Sequence, residues 1–253
     1  MKAIVIEKPG QLEIKEIPMP EVKDNEALLK VKYVGICGAD VASFTGNQPF
    51  TPYPRIPGHE FSAEIVPKPQ NDKGLKAGDI VTCNPYFNCG ECYSCERGFV
   101  NCCTDNQTMG VQRDGAFCEY IAMPVERIFK GEGLSAEELS LIEPFSISQH
   151  AVSRATIKET DTVLVVGAGP IGLFALLAAK QKCKKIVVAD ILDNRLSLQR
   201  NTVQMRLLTQ KHSHLKSLQM NLPKDAVLTC VLRLAVLPKP SLIVLIVPHL
   251  PLT

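Results

Sequence analysis

Residues Val163–Gly172 read VLVVGAGPIG. The run Val163-Leu164-Val165-Val166 is apolar without alternation, as in a strand buried on both faces of a parallel sheet. Gly167, Gly169 and Gly172 follow at G-x-G-x-x-G spacing, then an apolar helical stretch through Lys180, then a second buried strand, Lys185–Ala189, ending at Asp190. Strand, tight turn and helix are the setting in which this spacing binds a dinucleotide. Gly167 allows the turn, Gly169 lets the backbone approach a pyrophosphate, and Gly172 lets helix and strand pack closely. The helix N-terminus offers unpaired N–H groups to the phosphates. Asp190 stands where an acid accepts hydrogen bonds from the adenosine ribose hydroxyls, and its charge would repel the 2′-phosphate of NADP, which favours NAD. The plainer alternative is a glycine-rich βα turn that binds nothing.

Upstream the grammar is different. Ala3–Ile6 and Leu12–Ile14 flank a Pro9-Gly10 turn, Ala27–Val34 alternates around Lys30 and Lys32, and Phe61–Val66 and Asp79–Thr82 read as further strands. Asp114–Ile121 reads as another strand, entered through a turn. This is an all-β opening. Ser135-Ala136-Glu137-Glu138 is a capping box, and the helix it opens is expected to run toward Leu141–Phe145.

Between these strands lies CNPYFNCGECYSCERGFVNCC, Cys83–Cys103. Within it Cys89, Cys92, Cys95 and Cys103 are spaced C-x2-C-x2-C-x7-C, which suits four thiolates around one zinc ion, with turns at Gly90 and Gly98. Such a lobe has almost no apolar core, so the metal would supply its folding energy, about 10–16 kcal/mol for a structural site. Cysteines at i, i+3 and i+6 are poorly placed to pair with one another. An iron–sulfur cluster also takes four cysteines, so spacing alone leaves it open. Cys37, in GICGAD, and His59, in PGHE, are a thiolate and an imidazole that only the fold can bring together. With Glu60 or a later carboxylate they would make an open zinc site; a lone Cys and a lone His are otherwise more often structural. Glu143, between apolar residues and beside Pro144, is either near a metal or at a helix boundary.

Hydrophobic residues make up 45% and charged residues 21% of the 253, as in ordinary soluble proteins rather than disordered ones. A net charge of +2 gives no reason to expect nucleic acid or a membrane surface as partner. Ten cysteines without a secretory signal point to metal ligation in a reducing compartment, and the expected location is the cytoplasm. Ser241–Leu252, the most apolar run, is short and broken by Pro248 and Pro251.

GICGAD, PRIPGHE, the four-cysteine lobe, DGAFCEY, IEPFSIS and VLVVGAGPIG occur in the order found in the zinc-containing medium-chain alcohol/polyol dehydrogenases. The chain resembles that family, and within it the sorbitol, threonine and galactonate-type branch, from residue 1 to about 198. The resemblance implies α/β plus all-β architecture. A GroES-like β-barrel catalytic domain with the zinc sites would span 1–146, and an incomplete Rossmann, doubly wound NAD-binding domain 147–200. It implies a catalytic zinc at Cys37 and His59, with Glu60 and Glu143 completing or exchanging in its shell, and Asp40 as the acid that orients the histidine. It implies a structural zinc at Cys89, Cys92, Cys95 and Cys103, with Cys102 spare. NAD would lie against Gly167, Gly169, Pro170, Ile171, Gly172, Asp190 and Arg195. The substrate implied is a polyol or sugar acid whose secondary alcohol becomes a ketone, and full-length members are expected to be homo-oligomers. The family usually carries Ser or Thr where Ala39 stands and often His where Ala42 stands; neither alanine can relay a proton, and Ser43 is the candidate substitute.

Residues 201–253 depart from the pattern. All 16 glycines precede residue 201, and the tail is net +5 where residues 1–200 are net −3. The tail has no Phe or Tyr, and five prolines interrupt its apolar runs, so it is not expected to complete a parallel sheet. In another frame, codons for Gln199–Thr209 can be translated AKHGADAVIN, and those for Pro223–Ala235 permit EGCGADVCIEA, both family-like. The tail is therefore read as non-homologous and frameshifted. The alternative to an enzyme is a non-catalytic zinc-binding remnant with an incomplete cofactor site.

Overall fold

The computed structural model describes residues 1–66, 73–190, 192, 195, 230–233 and 245–248. It divides into two compact units, Met1–Glu143 and Pro144–Thr253.

The first unit is mostly antiparallel sheet. Strands β1 (Lys2–Lys8) and β2 (Gln11–Glu16) form a hairpin around the Pro9-Gly10 turn, with Gly10 at φ 79°. Strand β3 (Glu26–Gly35) leads into the short helix α1 (Gly38–Phe44); β4 (Glu60–Ile65) and β5 (Ile80–Cys83) follow. The two-residue strands β6 (Tyr86–Phe87) and β7 (Gln107–Thr108) pair with each other, and the one-turn helix α2 (Tyr93–Glu96) lies between them. After β8 (Tyr120–Pro124) and β9 (Ile128–Lys130) the main sheet is complete, in the order β8-β3-β4-β5-β9. Alternation decides which face is core. Ala27 and Leu29 point inward with Phe61, Ala63, Ile65, Val81, Ile121, Met123 and Ile128, all buried, while Lys30, the next residue of β3, is exposed.

Two local readings are corrected. The strand expected over Asp114–Ile121 begins only at Tyr120. Ahead of it the backbone pairs with the Pro57-Gly58 turn: the amides of Ala116 and Phe117 donate to the carbonyls of Gly58 (2.9 Å) and Pro57 (3.0 Å). A side chain at Gly115 would strike that turn. The helix opened by the Ser135–Glu138 capping box is also two helices, α3 (Ala136–Ser140) and α4 (Ile142–Arg154). Pro144 has no N–H for the Ser140 carbonyl and its ring would clash there, so one helix ends and another begins with the proline in its first turn.

In the second unit, β10 (Thr162–Val166), α5 (Pro170–Lys180) and β11 (Lys185–Ala189) form the expected βαβ unit, with β10 and β11 parallel and in register from Thr162↔Lys185 to Val166↔Ala189. Its core joins Val163, Val165, Ile186 and Val188 to Ala175, Leu176 and Ala179 of α5 and Val152 of α4.

Most of residues 201–253 lies outside the described residues. The two described segments differ from the expectation for this tail. β12 (Cys230–Arg233) runs parallel to β10 on the side away from β11, and β13 (Leu245–Pro248) pairs antiparallel with β12, giving the order β11-β10-β12-β13. The prolines keep clear of β12, and Pro248 is the last residue of a strand at the sheet's edge, where a missing N–H is tolerated. Strand order reverses at β10, so the glycine loop at its carboxyl end stands at a topological switch point, where open α/β sheets bind ligands.

Candidate metal and cofactor sites

The first cluster forms where β3 ends and β4 begins. Gly35 and Glu60 are paired across the two strands. A Cβ on Gly35 would lie 2.6 Å from Oε2 of Glu60, so the glycine leaves the carboxylate room to lie over β3. Cys37 is the N-cap of α1, and His59 directly precedes β4. One ligand atom each from Cys37, His59 and Glu60 lies within 4.8 Å of the others.

Asp40 ties these pieces together. One carboxylate oxygen accepts the Cys37 amide at 2.8 Å, closing a capping box on α1. The other accepts the Gly58 amide at 3.0 Å and lies 4.0 Å from Nδ1 of His59. Asp40 and His59 are 6% and 5% exposed, and the buried Nδ1 has no hydrogen-bond partner. Gly58, at φ 99° and with Phe117 against it, is a position only glycine fits.

The cluster's electrostatics suit a cation. Burial pushes the Cys37 thiol up to about 12, with Glu60 and Asp40 adding to the shift. A divalent ion would reverse this and hold the thiolate. The donor set of thiolate, imidazole and carboxylate is one that zinc takes, with a fourth position left open.

Glu143 is not one of the three converging donors. It is buried, and the Tyr86 hydroxyl donates to its Oε1. Burial raises its pKa, while Tyr86 and His59 act the other way and Glu60 adds to the rise. Glu143 thus neighbours the cluster electrostatically but is held by Tyr86. Sequence reasoning missed Tyr86, which stands three residues before Cys89 and reads there as part of the cysteine lobe. No spacing rule connects it to Glu143.

The second cluster is the lobe itself. Ligand atoms of Cys89, Cys92, Cys95 and Cys103 all lie within 4.8 Å of one another. Gly90 (φ 86°) and Gly98 (φ 76°) make the turns. The Cys89 amide donates to Sγ of Cys103 at 3.2 Å, and Asn88 Nδ2 to Sγ of Cys95 at 3.7 Å. Amide groups of Thr104 and Cys95 hold the Cys92 thiol down, to about 6. Four convergent sulfurs with N–H groups aimed at them fit a tetrahedral thiolate-bound ion. Cys102 is exposed beside the lobe and is not among the four.

The third site is the glycine loop. Gly167 has φ 104°. A Cβ on Gly172 would run into the Gly167 carbonyl oxygen, whereas one on Gly169 would meet nothing within 4 Å. The open face at Gly169 is what a pyrophosphate needs. Gly169 is the N-cap of α5, and Pro170 opens the helix, where its missing N–H costs nothing. Asp190 is buried at the end of β11. Its oxygens accept the amides of Ala168 (2.7 Å) and Leu192 (2.8 Å), and Arg195 approaches it at 3.6 Å. The acid predicted to meet the ribose therefore also latches the glycine loop, a role its sequence position does not announce. Ser43 is fully buried and bonded to Thr51 at 2.8 Å, which occupies the proposed proton-relay substitute.

Residues 23–133 match the alcohol dehydrogenase GroES-like domain. The chain is 46% identical over 190 residues to L-galactonate-5-dehydrogenase of Escherichia coli K12, covering 75% of this chain and 56% of that protein. It is 38% identical over 203 residues to sorbitol dehydrogenase of Bacillus subtilis, covering 78% and 57%. Its structure resembles that of an alcohol dehydrogenase of Escherichia coli CFT073 solved with NADH, at a TM-score of 0.84 and 35% identity over 94% of this chain and 70% of that one. The chain thus spans a little over half the length of these two curated relatives. Its GroES-like sheet, βαβ unit and motif order are those of such proteins, and it belongs to the zinc-containing medium-chain alcohol/polyol dehydrogenase family.

Proposed function

We propose that this chain serves NAD-linked oxidation of a secondary alcohol on a polyol or sugar acid to the ketone, with one catalytic and one structural zinc. The observation that carries the reading is the convergence of Cys37, His59 and Glu60 from separate segments, with Asp40 buried against the histidine. A zinc ion held there would supply Lewis acidity toward an alcohol oxygen, and a nicotinamide would supply the hydride acceptor. Cys37, His59 and Glu60 would hold the metal. Asp40 holds the start of α1 and the Gly58 turn, which carry Cys37 and His59, and sets its carboxylate 4.0 Å from the imidazole. Gly167, Gly169 and the start of α5 would hold the pyrophosphate, with Pro170 and Ile171 along it. Asp190 and Arg195 would face the ribose, and the acid's charge favours NAD over NADP. The alcohol proton must leave by a route that does not use Ala39 or Ala42. Among the described residues no helix is long and apolar enough to cross a membrane.

A second reading is favoured by the length of the match: a zinc-binding remnant without turnover. It keeps the division into a GroES-like catalytic domain over 1–146, a partial Rossmann domain over 147–200 and a frameshifted, non-homologous tail over 201–253. NADH formation with a panel of polyols and sugar acids separates the two. The enzyme reading expects a rate that His59→Ala abolishes; no rate from a zinc-loaded chain that binds NADH supports the remnant. The coding DNA across codons 190–253 tests the tail: early stop codons in the alternative frame would sink the frameshift.

A further inference from the structure

Tyr86 and Glu143 are far apart in the chain, yet the phenol of one donates directly to the carboxylate of the other, and the charges of Cys37, His59 and Glu60 act on this pair. Tyr86 is not a loosely placed side chain. Strand β6 pairs it with Thr108 of β7, its amide donates to Oδ1 of Asn84 at 3.0 Å, and its carbonyl accepts from Nη1 of Arg127. Arg127 also donates to Oδ1 of Asn88 at 3.2 Å and lies over the Phe87 ring at 4.4 Å. The frame that aims the phenol is thus the base of the cysteine lobe, whose first ligand, Cys89, is the next residue after Asn88.

Glu60 converges with one thiolate and one imidazole, and a second carboxylate, Glu143, is near enough for His59 and Glu60 to act on its charge. If both bound a zinc ion there, the ligands would carry three negative charges, and the open position and the Lewis acidity would both be lost. Something must keep one carboxylate back. We infer that Tyr86 is the positioning residue that does so, holding Glu143 outside the metal's inner sphere so that Glu60 is the resident carboxylate and the fourth position stays open. This rests on the metal-site reading of Cys37, His59 and Glu60.

Cobalt(II) bound to the metal-stripped 253-residue chain reads the coordination directly. Glu143→Gln alone is expected to leave the four-coordinate visible spectrum of wild type unchanged. Tyr86→Phe removes that bond, so Glu143 should enter the open fourth position: the catalytic-site spectrum should stay four-coordinate but shift as a carboxylate replaces the water there, and the cobalt dissociation constant should fall. The double variant Tyr86→Phe/Glu143→Gln should return to the wild-type spectrum, which a merely structural role for Tyr86 would not produce. A Tyr86→Phe spectrum and affinity equal to wild type overturn the inference. So does an effect that persists in the double variant, or a Glu143→Gln spectrum that has lost a ligand. Uptake of a single cobalt, at the four cysteines, overturns the metal-site reading itself and this inference with it.

Discussion

Oδ1 of Asp40 lies 4.0 Å from Nδ1 of His59, with both side chains buried. The same carboxylate bonds the Cys37 amide at 2.8 Å and the Gly58 amide at 3.0 Å. One acid therefore fixes the start of α1, the turn before β4 and the two residues that converge between them. Asp40→Ala removes the acceptor half of the capping box on α1, and the group facing the imidazole. Urea unfolding should show the first loss, and competition with a zinc chelator should show about 10–100-fold weaker binding at the catalytic site. Unchanged zinc affinity would mean that Asp40 only caps.

The lobe of Cys89, Cys92, Cys95 and Cys103 contributes only Cys95 to the buried hydrophobic residues. Cys89→Ser should lower bound zinc by one per chain and make the lobe sensitive to protease, as measured by metal analysis and limited digestion. Full zinc content in the variant, or iron in the wild type, would contradict a structural zinc there.

Gly169 and Gly172 should separate binding from folding. Gly169 has ordinary extended geometry, and a Cβ there would have nothing within 4 Å, so Gly169→Ala introduces no clash and should cost only the poorer N-cap of α5, about 1 kcal/mol or less. NADH fluorescence titration should nonetheless show weakened binding, because the methyl occupies the pyrophosphate's approach. Gly172→Ala drives a methyl into the Gly167 carbonyl and should cost about 1–3 kcal/mol of stability. Equal NADH affinity in wild type and Gly169→Ala would remove the cofactor reading of the loop.

The capping box at Ser135 and Glu138 gives a pH signature. The Ser135 amide donates to the Glu138 carboxylate at 2.8 Å and holds its pKa below the ordinary 4.5. A depressed folded pKa means the contribution is present above 4.5 and is lost as pH falls through the folded value. The stability difference between wild type and Glu138→Gln should be constant near neutrality and should change below pH 4.5, as acid unfolding curves would show. A difference that stays flat through acid pH would mean the bond is not made in solution.

The glycine loop and the cysteine lobe were legible in the sequence because each is local. Gly167 to Gly172 and Cys89 to Cys103 are close along the chain, so spacing alone brings their backbone or sulfur atoms together. Helix and strand periods likewise placed β3, β4, β10, α5 and β11. What tertiary structure decided is non-local. Cys37 meets His59 and Glu60 only because β3 and β4 pair in a register that sets Gly35 opposite Glu60. Glu143 meets Tyr86 only because the base of the cysteine lobe is pinned by Arg127. The start of β8 moved because the backbone at Gly115–Phe117 found partners in a distant turn. β12 joined β10 although its neighbourhood lacks glycine, because pairing needs only four residues of extended backbone and a free strand edge. A sequence states which groups are present; sheet register and backbone hydrogen bonds between distant segments state which of them share a site.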